Sequence, residues 1–193
     1  MTPQVLVLAQ RDQVREVAAW LRSHGRAIED VDRSHDELAC VRVRTADGTE
    51  LAVLGDHVGD VVYLTVAGPE ATLWSAELAR AFACLGVPEV LATLGAEATP
   101  QAWIAGLSRL AVLREGAGGH ARALLATWAR ALAHPQRAVR RAAIRTGWGA
   151  LAPTTAGADR SAMLAAVRER LAVETELTKP LRLLLEQLER VTT

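Results

Sequence analysis

The chain reads as an α+β protein, with a small, mainly antiparallel sheet domain with flanking helices at residues 1–98 and an all-helical domain at 99–193. Three observations predict this. Short Val- and Leu-rich runs, one with strict period-two alternation, occupy the first half, whereas after Thr99 every apolar pattern has helical spacing. Charge divides at the same place. Residues 1–98 carry 8 Arg against 15 Asp and Glu, a net of −7, and residues 99–193 carry 13 Arg and 1 Lys against 7 acids, a net of +7. Finally, the helix-opening segment Arg137-Ala138-Val139-Arg140 returns in outline as Lys179-Pro180-Leu181-Arg182, about forty residues on, which is the period of paired-helix repeats.

In the first half the elements are expected in the order β-α-β-β-β-α-β. The run Val5 to Ala9 is a buried strand, and Asp12 caps a helix that carries Val14, Val17, Ala18 and Leu21 on one side and stops at Gly25. Glu29 to Glu37 reads as an acidic linker. Cys40-Val41-Arg42-Val43-Arg44 alternates cleanly, and Asp47-Gly48 turns it into Glu50 to Leu54. Val61 to Val66 is the next strand, after which Gly68-Pro69-Glu70 opens a helix with Leu73, Trp74, Leu78, Phe82 and Leu85 at helical spacing, ended by Gly86. Val90 to Leu94 is expected as the last strand. In the second half, helices are expected from Thr99-Pro100, across Leu124 to Leu132, from Gln136 to Leu151, from Ser161 to Leu171, and through Leu177, Leu181, Leu184 and Leu188.

The segment His134-Pro135-Gln136-Arg137-Ala138-Val139-Arg140-Arg141-Ala142-Ala143 resembles the second helix of a HEAT repeat, with its Pro, its apolar-Arg step and its small residues. Lys179 to Arg182 is similar to a degenerate copy and Thr99 to Ile104 to a weaker one, so the resemblance covers residues 99–193. It implies stacked helix pairs that offer a surface to another macromolecule, and a repeat-to-repeat structural contact for Arg140. A second, local likeness lies in Tyr63 to Glu70 with Trp74 and Leu85-Gly86-Val87, which is similar to a strand-turn-helix segment of the PAC2 family, related in fold to nucleoside phosphorylases. That likeness would imply a parallel α/β sheet.

At about 100° per residue, Arg137, Arg141 and Arg145 fall within one arc of their helix with Trp148 between them, and Val139, Ala142, Ala143, Thr146 and Ala150 lie opposite. A cationic stripe around an indole can clamp an acidic protein surface or hold phosphates and stack on a base; it can also be satisfied by the protein's own acids. Asp56, His57 and Asp60 invite a metal reading, but three short polar residues are also what a tight turn contains. Cys40 and Cys84 are isolated thiols, neither a disulfide framework nor a metal knuckle. No nucleophile motif, phosphate loop or cofactor signature occurs; Gly116 to Gly119 lacks both the preceding strand and a Lys.

The expectation is therefore a non-catalytic protein-binding module of the kind found among bacterial adaptors, chaperones and immunity proteins, with Arg137, Arg141, Arg145 and Trp148 as the partner-binding residues and no catalytic residue, metal or cofactor. Nucleic-acid binding is the alternative, and a phosphorylase-like small-molecule enzyme the second. With no run near the ~20 apolar residues of a membrane span and no basic leader at Met1-Thr2-Pro3-Gln4, a soluble cytoplasmic protein is expected.

Overall fold

Alternation in the central strands decides which side of the sheet is covered. The computed structural model describes residues 3–31, 40–56, 61–95, 97–113, 120–149 and 157–190. Six strands, β1 (Gln4–Leu8), β2 (Arg26–Val31), β3 (Cys40–Arg44), β4 (Glu50–Asp56), β5 (Val61–Ala67) and β6 (Cys84–Leu85), form one sheet in the order β2-β3-β4-β5-β1-β6. Every pairing is antiparallel, unlike the parallel sheet that a phosphorylase-like fold would need. Val41 stands opposite Val53 and Val43 opposite Leu51, while Leu51 and Val53 stand opposite Val66 and Leu64 on the next strand. These side chains share one face, and helices α1 (Val14–His24) and α2 (Ala71–Ala81) close it with Val17, Ala18, Leu21, Ala71 and Leu78. Each fully buried aliphatic side chain there contributes about 1.5–3 kcal/mol of burial free energy.

Two strand assignments made from sequence need correction. The acidic linker begins as β2, whose alternation is hidden by a bulge between Ala27 and Glu29; beyond it Glu29 faces Arg42, an opposite-charge cross-strand pair. Residues 32–37 of the expected linker lie outside the described residues. The expected last strand, Val90 to Leu94, instead starts within α3 (Val87–Ala92), and the sixth strand is Cys84–Leu85, which pairs with Leu8 and Val7. The helix expected to run to Gly86 stops at Ala81, where Phe82 turns extended (φ −131°, ψ 153°) and sets its ring edge-on to Trp20, 6.1 Å between centroids. Leu85 is consequently a strand residue, and Leu73, 56 % exposed, is not part of the core.

The β3–β4 turn is hooked to the start of α2. Gly48 (φ +89°) completes a hairpin turn in which the Gly48 N–H donates to the Thr45 carbonyl at 3.1 Å. Asp47 accepts from the Thr49 N–H (2.8 Å), the Thr45 hydroxyl (2.9 Å) and the Trp74 indole N–H (2.9 Å). The Thr49 side chain first, then the Trp74 indole, and more weakly the Thr49 N–H and the Thr45 hydroxyl hold its carboxyl below the usual carboxylate range, against the opposing effect of desolvation. The Thr49 hydroxyl in turn accepts from the Glu70 N–H at 3.2 Å. Gly68 (φ +141°) lets the chain pass: a Cβ there would stand 2.7 Å from the Thr49 Cα.

Compact units divide the chain at Glu89 and Val90, so residues 90–98, placed on the sheet side by the sequence, fall with the helices. The helical unit contains α4 (Pro100–Leu113), α5 (Ala121–Leu132), α6 (Arg137–Gly149), α7 (Gly157–Val173) and α8 (Thr178–Arg190). Pro100 follows a capping Thr99, whose hydroxyl accepts from the Ala102 N–H at 3.2 Å. Helix α7 starts at Gly157, four residues before the expected Ser161, inside the segment read as a loop to Asp159. Helix α5 packs on α4 and α6, and α7 on α8, while helices two positions apart also pack: α4 on α6, α6 on α8, and α5 on α7. The three segments with the repeat-like signature thus open the helices α4, α6 and α8 of a single row. No helix among the described residues is long and apolar enough to cross a membrane.

Replacing Gly48 and Gly68 by Ala separates backbone conformation from close approach. Gly48→Ala meets open space and is expected to cost about 1 kcal/mol for its positive φ alone. Gly68→Ala adds the collision with Thr49 and is expected to cost clearly more, read by urea unfolding followed by tryptophan fluorescence. Equal costs would mean that the hairpin does not press on Gly68.

Candidate functional site

Helix α6 is the middle member of its row, and its composition lets it be covered on nearly all sides. Val139, Ala142, Ala143, Ile144 and Thr146 are buried, and so is Gly147, where a Cβ would stand 2.8 Å from the Trp128 ring. Trp128 of α5 fits that notch and donates its indole N–H to the Ala143 carbonyl at 2.8 Å. What α6 leaves in solvent is one stripe: Arg137, Ala138, Arg141 and Arg145 are exposed. The structure thus places the three predicted arginines on one exposed ridge. Trp148 lies on the same helix, but its side chain, like Ala150, lies outside the described residues.

The guanidinium groups differ in what they meet. Arg145 donates from Nη2 to the Ser108 hydroxyl of α4 at 3.1 Å, a contact that local sequence does not suggest. Arg137 and Arg141 have no ion pair or hydrogen-bond partner among the described residues. Arg140 is the opposite case. Only 6 % exposed, it donates from Nε to Glu174 Oε2 (2.8 Å), from Nη2 to Glu174 Oε1 (3.3 Å) and Glu176 Oε2 (2.8 Å), and from Nη1 to the carbonyls of His134 (3.2 Å) and Pro135 (2.7 Å).

Glu174 sits between α7 and α8 and is shared by both. Its Oε2 also accepts from Arg170 Nε (2.9 Å) and Nη2 (2.8 Å), and its Oε1 accepts the N–H groups of Glu176 (3.0 Å) and Leu177 (3.3 Å) in the turn before α8. Burial alone would raise its pKa, but the hydrogen bonds from Arg170, the Glu176 N–H, Arg140 and the Leu177 N–H outweigh it and bring the carboxyl from 4.5 to about 2. The carboxylate therefore stays charged in the interior, and its negative charge is spent on Arg140 and Arg170 and is unavailable to the ridge.

The unit's positive surplus is confined to its first three long helices. Residues 99–149 hold eight arginines and a single acid, Glu115, whereas residues 150–193 balance six basic against six acidic side chains. Helices α4, α5 and α6 contain no Asp or Glu at all. Arg130 of α5 is engaged internally: it lies 5.4 Å over the Trp103 ring and donates to the Leu94 carbonyl at 3.2 Å.

Elsewhere the sheet unit holds an aromatic cluster that sequence reading did not assemble. Trp20 stacks on His24 at 3.8 Å between centroids and meets Trp74 edge-on at 6.0 Å, in direct ring contact rather than around a gap. The spacing of Trp20 and His24, one turn apart on α1, is its sequence signal. Cys84 is half-buried, with burial pushing its thiol up to about 11. His57 and Asp60, the side chain of Asp56, and Gly116 to Gly119 lie outside the described residues. Among the described residues no group of three or more His, Cys, Asp and Glu side chains converges on a metal-sized site. Compared with protein families, curated proteins and solved structures, the chain matches no family model, no curated protein and no solved structure.

Glu174→Gln leaves buried Arg140 with only the half-exposed Glu176 as counter-charge and is expected to destabilise the helical unit by about 3 kcal/mol at neutral pH. Because the folded pKa is depressed, this stability is complete above about pH 4.5 and is lost as pH falls through about 2. The gap between wild type and variant, read by denaturant unfolding with far-ultraviolet circular dichroism, should narrow over that window. A gap unchanged across it would remove the carboxylate from the account of stability.

Proposed function

We propose that the protein is a non-catalytic binding module whose basic ridge on α6, formed by Arg137, Arg141 and Arg145 with Trp148 on the same helix, docks an acidic surface of a protein partner. The observation that carries this reading is the contrast between neighbouring residues. Arg140 is consumed by the interior, whereas Arg137 and Arg141 stand exposed without a carboxylate among the described residues. Like charges one helical turn apart destabilise a helix by a few tenths of a kcal/mol per pair. An acid at position 141 would turn that cost into a gain with both neighbours, so the bare stripe has no return in α6 itself.

Rigidity adds to the argument. The ridge stands on a helix held by Trp128, by Glu174 and by the helices on either side, so little backbone ordering entropy is lost when it is engaged, and the cost falls on the arginine side chains. Helices packing two positions on, with the repeat-like segments opening one row, are the arrangement that a short HEAT-like stack would have. An adaptor, a chaperone and an immunity-type protein would each use such a surface.

Immobilised wild-type protein and an Arg137→Glu/Arg141→Glu variant, compared for what each captures and with what affinity, test the reading. Charge reversal is expected to weaken the partner at least tenfold, about 1.4 kcal/mol. Should every captured protein remain with unchanged affinity, the ridge is not the docking surface. A captured nucleic acid whose affinity falls steeply and linearly in log-log form with salt would replace the protein partner by a polyphosphate one.

A further inference from the structure

Resting on that docking reading, we infer that the partner surface is itself an α-helix carrying carboxylates at every fourth position. Arg137, Arg141 and Arg145 follow one another at intervals of four residues, so their Cα atoms rise by about 6 Å per step and turn by only about 40°. This is the ridge that a helix offers to another helix. Ridges of the i±4n type interdigitate with ridges of the same type in the commonest class of helix packing, and the two sets of side chains then have the same repeat. A partner helix with Asp or Glu at i, i+4 and i+8 brings one carboxylate to each guanidinium, in the planar two-point geometry that Arg and carboxylate share. The exposed Ala138 beside the stripe leaves room for the approaching backbone.

Charge makes the choice one of sign as well as of shape. Helices α4 to α6 contribute arginines and no acid, so a carboxylate approaching the ridge meets no like charge from any of the three. Nucleic acid is less well served. Binding single strands draws much of its free energy from bases stacked on exposed rings, and among the described side chains of α4 to α6 the two indoles, Trp103 and Trp128, are 4 % and 6 % exposed.

Fluorescence anisotropy on the full chain tests this with three labelled probes. One is an Ala- and Gln-based helical peptide with Glu at every fourth position, one a peptide of identical composition with Glu at every second position, and one a single-stranded oligonucleotide of similar charge. The fourth-position peptide is expected to bind at least tenfold more tightly than its isomer. Arg137→Glu/Arg141→Glu should abolish that preference, and a Lys-for-Glu version of the same peptide should bind the reversed protein better than wild type. Circular dichroism melts verify that the variant is folded, and Arg141→Gln, which removes charge without reversing it, should give an intermediate loss. Equal binding of the two acidic peptides, both lost on reversal, would overturn the helix while leaving the acidic-partner reading intact. If neither peptide binds, or if binding ignores the reversal, both fall. Tighter, reversal-sensitive binding of the oligonucleotide would overturn the protein partner altogether.

Discussion

The helical unit is organised around one carboxylate. Glu174 accepts hydrogen bonds from Arg140 at the start of α6, from Arg170 near the end of α7, and from two backbone N–H groups just before α8. Taking an ion pair out of water costs several kcal/mol per charge, and the attraction between the partners offsets this only when the remaining lone pairs and protons are also satisfied. Here they are. Arg140 is completed by two carbonyls of the chain that leads into α6, and by Glu176, and Glu174 by the N–H groups of Glu176 and Leu177 in the turn before α8. One carboxylate thereby ties the link between α7 and α8 to the start of α6.

The same geometry separates neighbouring arginines into different roles. A single step of about 100° turns Arg140 into the interior and leaves Arg141 in solvent. Arg140 meets Glu174, Glu176 and the carbonyls of His134 and Pro135, whereas Arg141 meets no carboxylate among the described residues. The structural ion pair and the exposed cationic stripe thus occupy adjacent positions of one helix.

Local patterns exposed much of this to sequence reading, and contacts distant along the chain did not. Clean alternation in Val41 to Arg44 and the Asp47-Gly48 turn located the hairpin, while Leu181, Leu184 and Leu188 marked the buried side of α8. The Pro-containing segments located the openings of α4, α6 and α8, with an apolar-Arg step in the last two alone. Strand β2 was hidden because its bulge breaks the alternation and its acids resemble a linker. The β6–α3 stretch was misread because short apolar runs fit either a strand or a helix, although Pro88, within the first turn of α3, was an available signal. On the ridge, the exposure of the three arginines followed from periodicity. The partners of Arg140, of Arg145 and of the Trp74 indole, which lie 34, 37 and 27 residues away, did not.

The indole of Trp128 in the notch at Gly147 also fixes the compass bearing of α6. A Cβ at position 147 would stand 2.8 Å from the ring, and the indole bond to the Ala143 carbonyl resists rotation of α6 against α5. In the proposed docking, an incoming anion would meet a backbone support already in place, with only the arginine side chains left to adjust, so its capture rate would respond mainly to diffusion and ionic strength.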